Sequence, residues 1–279
     1  MMRLLRKSRV DLPYTPPSEG FYLRLMLAVC ALLFFTILFW LIGENPFRIF
    51  FEFDQLIRVA KEMLPPSIHL LYNNLTLYDS IGETVSMAFL GTLIGGSISV
   101  CLSFFAARNT SPHPILRQII RLLFSIERSI PEFAVVLILI AALGAGPFAA
   151  MLTLCIATIG FTGKLFADAI EHINPLPMEA LEAIGAERSQ IVRFGVIPQV
   201  APSFISTIFY AFDINIRRAI ALGIFGGGGI GYELELSTGM LKYADMLAYI
   251  IGIIILVTMM ERISDLLRSI ILKKGGSVK

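Results

Sequence analysis

Residues 175–198 read PLPMEALEAIGAERSQIVRFGVIP, and this stretch sets the interpretation of the rest of the chain. Two prolines at its start fix φ near the value of a first helical turn, and the following EALEAI consists mainly of good helix formers. Gly185 tolerates the left-handed conformation in which helices commonly end. A second short helical pattern covers 187–196 and leads to Pro198. We therefore predict a charged helix, glycine turn and helix, called the 175–198 segment below.

The sequence around this segment has the composition of a membrane protein. Of its 279 residues, 56% are hydrophobic and 16% are charged, and the mean hydropathy is +0.76. A polar segment between such apolar runs cannot lie in lipid, so it must project into water or against a partner protein. A helix crosses a bilayer with about 20 apolar residues. We predict an all-α membrane protein with six transmembrane helices, at approximately 22–42, 80–105, 130–143, 148–167, 201–225 and 244–260.

The first span is predicted to stay in the protein. Its apolar stretch, 22–42, is too long for a cleaved signal peptide, and no small-residue cleavage site follows it. Inside the second span, Gly91 and Gly95 have the spacing that lets two helices approach closely, and we expect this packing within one chain. We divide the chain into an N-terminal segment, a first span with an amphipathic outer connection, a core transmembrane domain and a tail, at 1–21, 22–79, 80–261 and 262–279.

Basic residues are unevenly distributed between the two sides that six spans define. Both termini, the loop at 106–128 and the 175–198 segment fall on one side, which holds 15 of the 23 Lys and Arg residues. The opposite loops hold four. The positive-inside rule places the richer side in the cytoplasm. Both termini are therefore predicted to be cytoplasmic, with the turns at Gly144–Pro147 and Gly226–Gly231 outside.

Residue patterns typical of enzymes are missing from the sequence. The three histidines lie in three different connections, without metal-ligand spacing. Gly226, Gly228 and Gly231 match the dinucleotide-binding spacing, but no strand, turn and helix unit surrounds them. Lys164 does not belong to a P-loop, because Thr158 occupies the first glycine position. We predict no catalytic residue and no metal site, and any ATP that drives transport must be hydrolysed by a separate subunit.

The fifth span carries Asp213, Asn215, Arg217 and Arg218 in apolar surroundings. Counted from Ala201 at about 1.5 Å per residue, they lie roughly 18–25 Å along the helix, beyond the membrane midplane toward the outer side. Asp213 and Arg217 are four residues apart and can pair, which leaves one arginine unneutralised. One interpretation is an anion-attracting lining of the translocation path. The other is a structural ion pair, with Arg218 reaching outward.

The 175–198 segment resembles the EAA loop of bacterial ABC-importer permeases, in which Glu-Ala-Ala precedes a glycine and a Leu-Pro-like pair. Residues 179–181 read Glu-Ala-Leu, so the third position departs from the pattern, and we expect Leu181 to pack in place of alanine. Gly185 and the Ile-Pro pair at 197–198 follow at matching spacing. The resemblance assigns coupling to an ATPase to Glu179, Ala180, Gly185, Ile197 and Pro198.

Four further stretches, at 143–149, 195–200, 213–217 and 226–231, resemble phosphonate-importer permeases. The resemblance implies a type I (MetI-like) ABC importer permease fold and a permease subunit, rather than an enzyme, in the bacterial inner membrane. Its cargo would be a phosphonate or a relative such as phosphite or hypophosphite. It further implies a homodimer, two cytoplasmic ATPase subunits that bind ATP and Mg, and an extracytoplasmic binding protein. No cofactor in this chain and no nucleic-acid partner are expected.

Several alternatives stay open at this point. Gly226, Gly228 and Gly231 are compatible with an outer gate and with a simple turn. The cargo of an ABC permease with this segment can also be another small solute, such as an amino acid. An ion-coupled secondary transporter that works alone is a third function. It would leave the 175–198 segment unexplained, and inverted repeats with matched broken helices are not evident.

Overall fold

The computed structural model describes residues 19–43, 52–67, 69–70 and 75–275. Predictions that concern 1–18, 44–51, 68, 71–74 and 276–279 lie outside the described residues. Most of the predicted N-terminal segment and the end of the predicted tail are among these predictions. The chain divides into two units, Met1–Ala60 and Lys61–Lys279. Within the described residues, the regular structure consists of helices and helical turns.

The first unit contains a long apolar helix, α1 (Glu19–Ile42). Its stretch Gly20–Leu41 is long and apolar enough to cross a membrane, as predicted for the first span. A short helix, α2 (Phe53–Glu62), begins in this unit and carries Asp54 in its first turn and Lys61 in its last. These two charges complement the partial charges of the helix ends.

The second unit contains nine helices in its described part, and a turn of π-helix and a glycine-rich kink at Gly226 connect some of them. The turn Val192–Val196 joins α8 to α9, and the turn Gly223–Gly227 leads from α9 toward α10. The helices are α3 (Leu75–Ala106), α4 (Pro114–Glu127), α5 (Glu132–Leu143), α6 (Pro147–Glu171), α7 (Leu176–Ala183), α8 (Arg188–Ile191), α9 (Ile197–Leu222), α10 (Gly229–Gly239) and α11 (Tyr243–Gly275).

The centre of the second unit is the pair α3 and α6. A Cβ atom placed on Gly95 would lie 2.5 Å from the carbonyl oxygen of Cys155, and one on Gly91 would lie 2.7 Å from Cβ of Leu154. Only glycine permits this approach, because any side chain would overlap the facing helix. The prediction of close helix packing within one chain is confirmed.

The predicted third span is not one continuous helix of spanning length. α5 has 12 residues and a length of about 18 Å, short of the roughly 30 Å of a bilayer core. The preceding stretch, predicted as a polar loop, forms the amphipathic helix α4, in which Phe124 fits against Gly163 of α6. Val136 of α5 shares a buried cluster with Ala150, near the start of α6. α4 thus packs against the later part of α6, and α5 packs near its start.

The ends of the helices define two ends of the second unit. One end, called the segment end, carries the 175–198 segment. There the Arg108 backbone N–H donates to Oε1 of Glu171 at 2.6 Å, which holds the chain after α3 against the end of α6. The other end, called the glycine end, contains the turns at Gly144–Pro147 and Gly226–Gly231. There the Gly146 N–H donates to the Gly226 carbonyl at 3.0 Å. α11 continues to Gly275, so the predicted tail is helical up to that residue.

Candidate functional site

The 175–198 segment has the predicted order of helix, glycine turn and helix. α7 is followed by Gly185 at φ +78°, and the Ala186 N–H closes the turn on the Leu181 carbonyl at 3.0 Å. The second helix differs from the prediction, because α8 and the π-turn lead without a break into α9. Pro198 is the second residue of α9, directly after the π-turn, and the fifth span begins four residues earlier than expected.

Apolar side chains on this segment are exposed. The exposed fraction is 79% for Ile184, 64% for Leu176 and 62% for Phe194. Glu179 and Gly185 are exposed as well. By contrast, Leu181 packs inside the segment, 3.3 Å from the position of a Cβ atom on Gly195, as expected for an apolar third position. The segment thus presents an apolar and charged surface outside the helix bundle.

Two polar side chains attach the segment to the bundle. Nη2 of Arg188, at the start of α8, donates to the carbonyls of Thr110 and Ser111 at 3.2 and 2.7 Å. Nε2 of Gln199 donates to the Gly195 carbonyl at 2.6 Å, and Oε1 of Gln199 accepts from the Asn174 N–H at 3.1 Å. The segment is therefore bonded to the loop between α3 and α4 and to the start of α9.

The charges of α9 pair with carboxylates of three helices. Arg217 contacts Asp213, one turn earlier, at 3.2 Å, and also Glu261 of α11. Nη2 of Arg218 lies 3.1 Å from Oε1 of Glu132, the first residue of α5. The expectation of an unneutralised arginine is wrong, because Glu132 supplies the missing charge. We call these five residues the charge cluster.

Asn215 borders the charge cluster, since its Oδ1 accepts a hydrogen bond from Nη1 of Arg218 at 3.4 Å, but it is itself buried. It is 1% exposed, and its Nδ2 donates to Thr92 of α3 at 2.8 Å and to Thr158 of α6 at 2.7 Å. Both threonines stand near the middle of their helices, so this part of α9 is level with the middle of the bundle and not displaced toward one end. Asn215 links three helices, and its role in a path lining stays a prediction.

The sequence reasoning missed Glu132 and Glu261. Glu132 follows Pro131 at the start of a span, and Glu261 stands where the sixth span was predicted to end, so both resembled ordinary end residues. A search for the carboxylates that neutralise two intramembrane arginines would have selected them. Glu127, near Glu132, has a buried Oε2 without a hydrogen-bond partner, placed against Gly160.

The glycine end contains a tight turn. Gly226 and Gly228 have φ of +92° and +78°, and a Cβ atom on Gly231 would lie 1.9 Å from the Ile220 carbonyl oxygen. The Gly229 N–H donates to Oε2 of Glu83 at 3.0 Å. A cavity of about 340 Å³ opens here, with Glu83 and Glu233 in its lining. These glycines are therefore required by backbone geometry and close packing.

In the described part of the chain, no group of three or more His, Cys, Asp or Glu residues has a geometry that could hold a metal ion. Residues 99–274 match the family described as "Binding-protein-dependent transport system inner membrane component". The chain belongs to this family. The match confirms the prediction of a multi-pass permease subunit of the bacterial inner membrane, with the ATPase as a separate subunit.

Two curated relatives transport phosphorus oxyanions. The permease is 36% identical over 231 residues to the phosphate-import permease protein PhnE of Mycolicibacterium smegmatis, and the alignment covers 83% of this chain and 43% of that relative. It is 38% identical over 186 residues to the phosphite transport system permease protein PtxC of Stutzerimonas stutzeri, which covers 67% of this chain and 68% of the relative. The predicted resemblance to phosphonate-type permeases is confirmed.

The fold also has a solved counterpart. The inward-facing MetNI methionine ABC transporter superposes with a TM-score of 0.61 at 21% identity, over 70% of this chain and 95% of that chain. The predicted MetI-like ABC permease fold is confirmed. At this level of identity the likeness concerns the fold alone.

Proposed function

We propose that the chain is the transmembrane permease of an ATP-driven importer that carries a phosphonate, or a related reduced-phosphorus oxyanion such as phosphite or hypophosphite, into the cytoplasm. The observation that carries the proposal is the 38% identity to a phosphite permease over two thirds of both chains. The pair of arginines in α9 agrees with an anionic cargo, because guanidinium groups bind phosphorus oxyanions through paired hydrogen bonds.

In the proposed complex, two ATPase subunits bind ATP and Mg²⁺, and each contacts the 175–198 segment of one permease copy. Exposed Ile184 and Phe194 support this, because apolar side chains outside the bundle are stabilised by a partner surface. Glu179, Ala180 and Gly185 lie on the part that would enter the ATPase. Ile197 and Pro198 stand where the segment joins α9, and they would transmit its displacement.

The segment end is proposed to face the cytoplasm, and the glycine end to face an extracytoplasmic binding protein. The charge cluster fits a water-filled path as well as a homodimer, since the side chains of Arg217 and Glu261 are 46% and 43% exposed at mid-bundle level. Charges at that depth are not tolerated against lipid, so a water-filled path or a second copy must cover them. Asp213, Arg217 and Arg218 would line the path, while Gly226, Gly228 and Gly231 would shape its outer end.

The proposal is tested with the full-length permease, its ATPase and its binding protein in proteoliposomes. We expect uptake of phosphite or methylphosphonate that requires ATP and the binding protein and is unaffected by collapse of a proton gradient. Uptake that follows the proton gradient without ATP would establish a secondary transporter instead. ATP-dependent uptake of methionine, with none of either phosphorus anion, would retain the ABC mechanism and reject the cargo.

A further inference from the structure

Each arginine of the charge cluster is neutralised by a carboxylate from another helix. Glu261 of α11 contacts Arg217, and Glu132 of α5 contacts Arg218. α9 is therefore connected by ion pairs to two different neighbouring helices. Asp213 differs from these two carboxylates, because it lies on α9 itself, four residues before Arg217, and stays beside it in any arrangement of the helices.

The two interhelical ion pairs are partly exposed on the surface of the single chain. Side-chain exposure is 46% and 43% for Arg217 and Glu261, and 26% and 31% for Arg218 and Glu132. An anion that reaches the cluster can therefore approach both guanidinium groups. The amide of Asn215 is buried by contrast, although its Oδ1 also accepts a hydrogen bond from Nη1 of Arg218 at 3.4 Å.

A carboxylate and a phosphorus oxyanion present the same chemistry to a guanidinium group. Both place two anionic oxygens at a spacing that accepts two parallel N–H bonds. An arriving phosphonate or phosphite can thus take the place of Glu132 or Glu261 without any change in the geometry of the arginine. The displaced carboxylate is partly exposed already, so it can turn toward water.

We propose that Glu132 and Glu261 are internal substitutes for the cargo anion, which occupy Arg218 and Arg217 in the absence of cargo and are displaced as it passes. This inference rests on the proposed function and specifies which groups neutralise the arginines of the path before and during the passage of cargo. The exchange keeps a counter-ion beside each arginine at every stage, which avoids an uncompensated charge at mid-membrane depth. Displacement also breaks the ion pairs that hold α9 to α5 and α11, so the cargo favours separation of these helices.

The formal charge of the cluster explains why it would pass cargo on instead of retaining it. It contains two arginines and three carboxylates, so it carries one negative charge before the anion arrives. An oxyanion is attracted by the arginines and repelled by the excess charge, and binds weakly. Removal of Glu132 leaves Arg218 without a carboxylate, whereas removal of Glu261 leaves Arg217 with Asp213 alone. Either removal also makes the cluster neutral, and both changes strengthen anion binding.

The experiment measures equilibrium binding of phosphite and methylphosphonate to the full-length chain in lipid nanodiscs, by ³¹P NMR. We expect weak binding by the wild type and binding roughly tenfold tighter, or more, by Glu261→Gln and by Glu132→Gln. The double variant Glu261→Gln with Arg217→Gln should lose that gain. Asp265→Asn is the matched control, because it removes a carboxylate one turn further along α11 that lies 4.0 Å from Arg268 and is 74% exposed.

Equal affinity in the wild type and both glutamine variants would overturn the inference, as would an equal gain in Asp265→Asn. Thermal unfolding and gel filtration report whether each variant is folded. If neither glutamine variant folds, the carboxylates are obligatory structural partners and the inference is also overturned. Failure of the proposed function has a different signature, which is the absence of ATP-driven phosphite uptake by the wild type. Uptake without a gain in affinity rejects the exchange alone.

Discussion

The charge cluster and the 175–198 segment both place side chains in unfavourable surroundings, and the unfavourable contacts are compensated in different ways. The cluster has charges at mid-bundle level, and every arginine finds a carboxylate within the chain. The segment has exposed apolar side chains outside the bundle, such as Ile184 at 79% exposure, for which the described chain offers no cover. The comparison shows that the charges of the first region are paired within the chain, whereas the second leaves apolar side chains for the proposed partner protein to cover.

The sharpest test of this contrast is Gly185→Val. The native φ of +78° disfavours a β-branched residue by about 1–2 kcal/mol, so the turn between α7 and α8 should rearrange. We expect recovery of the ATPase with the purified permease to fall by roughly tenfold or more. The thermal unfolding midpoint of the permease alone should change little, because the strain is confined to this exposed turn and no atom lies within 4 Å of a Cβ atom at this position.

Gly239→Val is the matched control for this substitution. Gly239 also has open space around it, but it lies at the end of α10 and has no positive φ. ATPase recovery should remain at the wild-type level. Equal loss in both variants, or a large drop in the midpoint of Gly185→Val alone, would show that the segment is part of the stability core and would remove the contrast between the two regions.

A smaller effect is expected from Arg188→Ala, which cuts the hydrogen bonds to Thr110 and Ser111 while leaving the exposed surface of the segment in place. The ATPase should still bind, but displacement of the segment would no longer reach the loop between α3 and α4. We expect roughly threefold less phosphite transported per ATP hydrolysed in proteoliposomes.

Arg193→Ala serves as the control, since Arg193 lies on the same segment and contacts the ring of Phe194 at 5.5 Å. It should leave the ratio of transport to hydrolysis unchanged. If Arg188→Ala behaves in the same way, the link from Arg188 to the bundle has no part in coupling, and the segment acts only through its direct connections to α6 and α9.

The sequence was sufficient for features that depend on local chemistry. The turn at Gly185 follows from the need for a positive φ, and the close approach of α3 to another helix of the chain follows from the spacing of Gly91 and Gly95. The family resemblance followed from the spacing inside the 175–198 segment. These features need no knowledge of which helices are neighbours.

Features that depend on the neighbours of a helix could not be predicted in the same way. The partner of Arg218 is 86 residues earlier in the chain, and Asn215 reaches threonines on two other helices. α4 was missed because its charges were assigned to a loop, although its apolar face packs against α6 through Phe124. Each of these requires the packing order of the helices, which hydropathy does not contain.

The smallest effect concerns stability inside the bundle, and it tests whether Asn215 is structural. Asn215→Leu removes two interhelical hydrogen bonds, although the hydroxyls of Thr92 and Thr158 keep their bonds to the Ala88 and Leu154 carbonyls of their own helices. We therefore expect a loss of about 1 kcal/mol, measured as a lower unfolding midpoint in detergent, with ATPase recovery retained.

Ser97→Ala is the control for loss of a polar group, because Ser97 is exposed and bonds only to the Leu93 carbonyl of its own helix, at 2.7 Å. Its midpoint should match that of the wild type. An unchanged midpoint for Asn215→Leu together with altered phosphite affinity would show that Asn215 belongs to the translocation path. A lower midpoint with unchanged affinity would show that Asn215 has a structural role. In that case only the counter-ions of the arginines beside it would exchange with cargo.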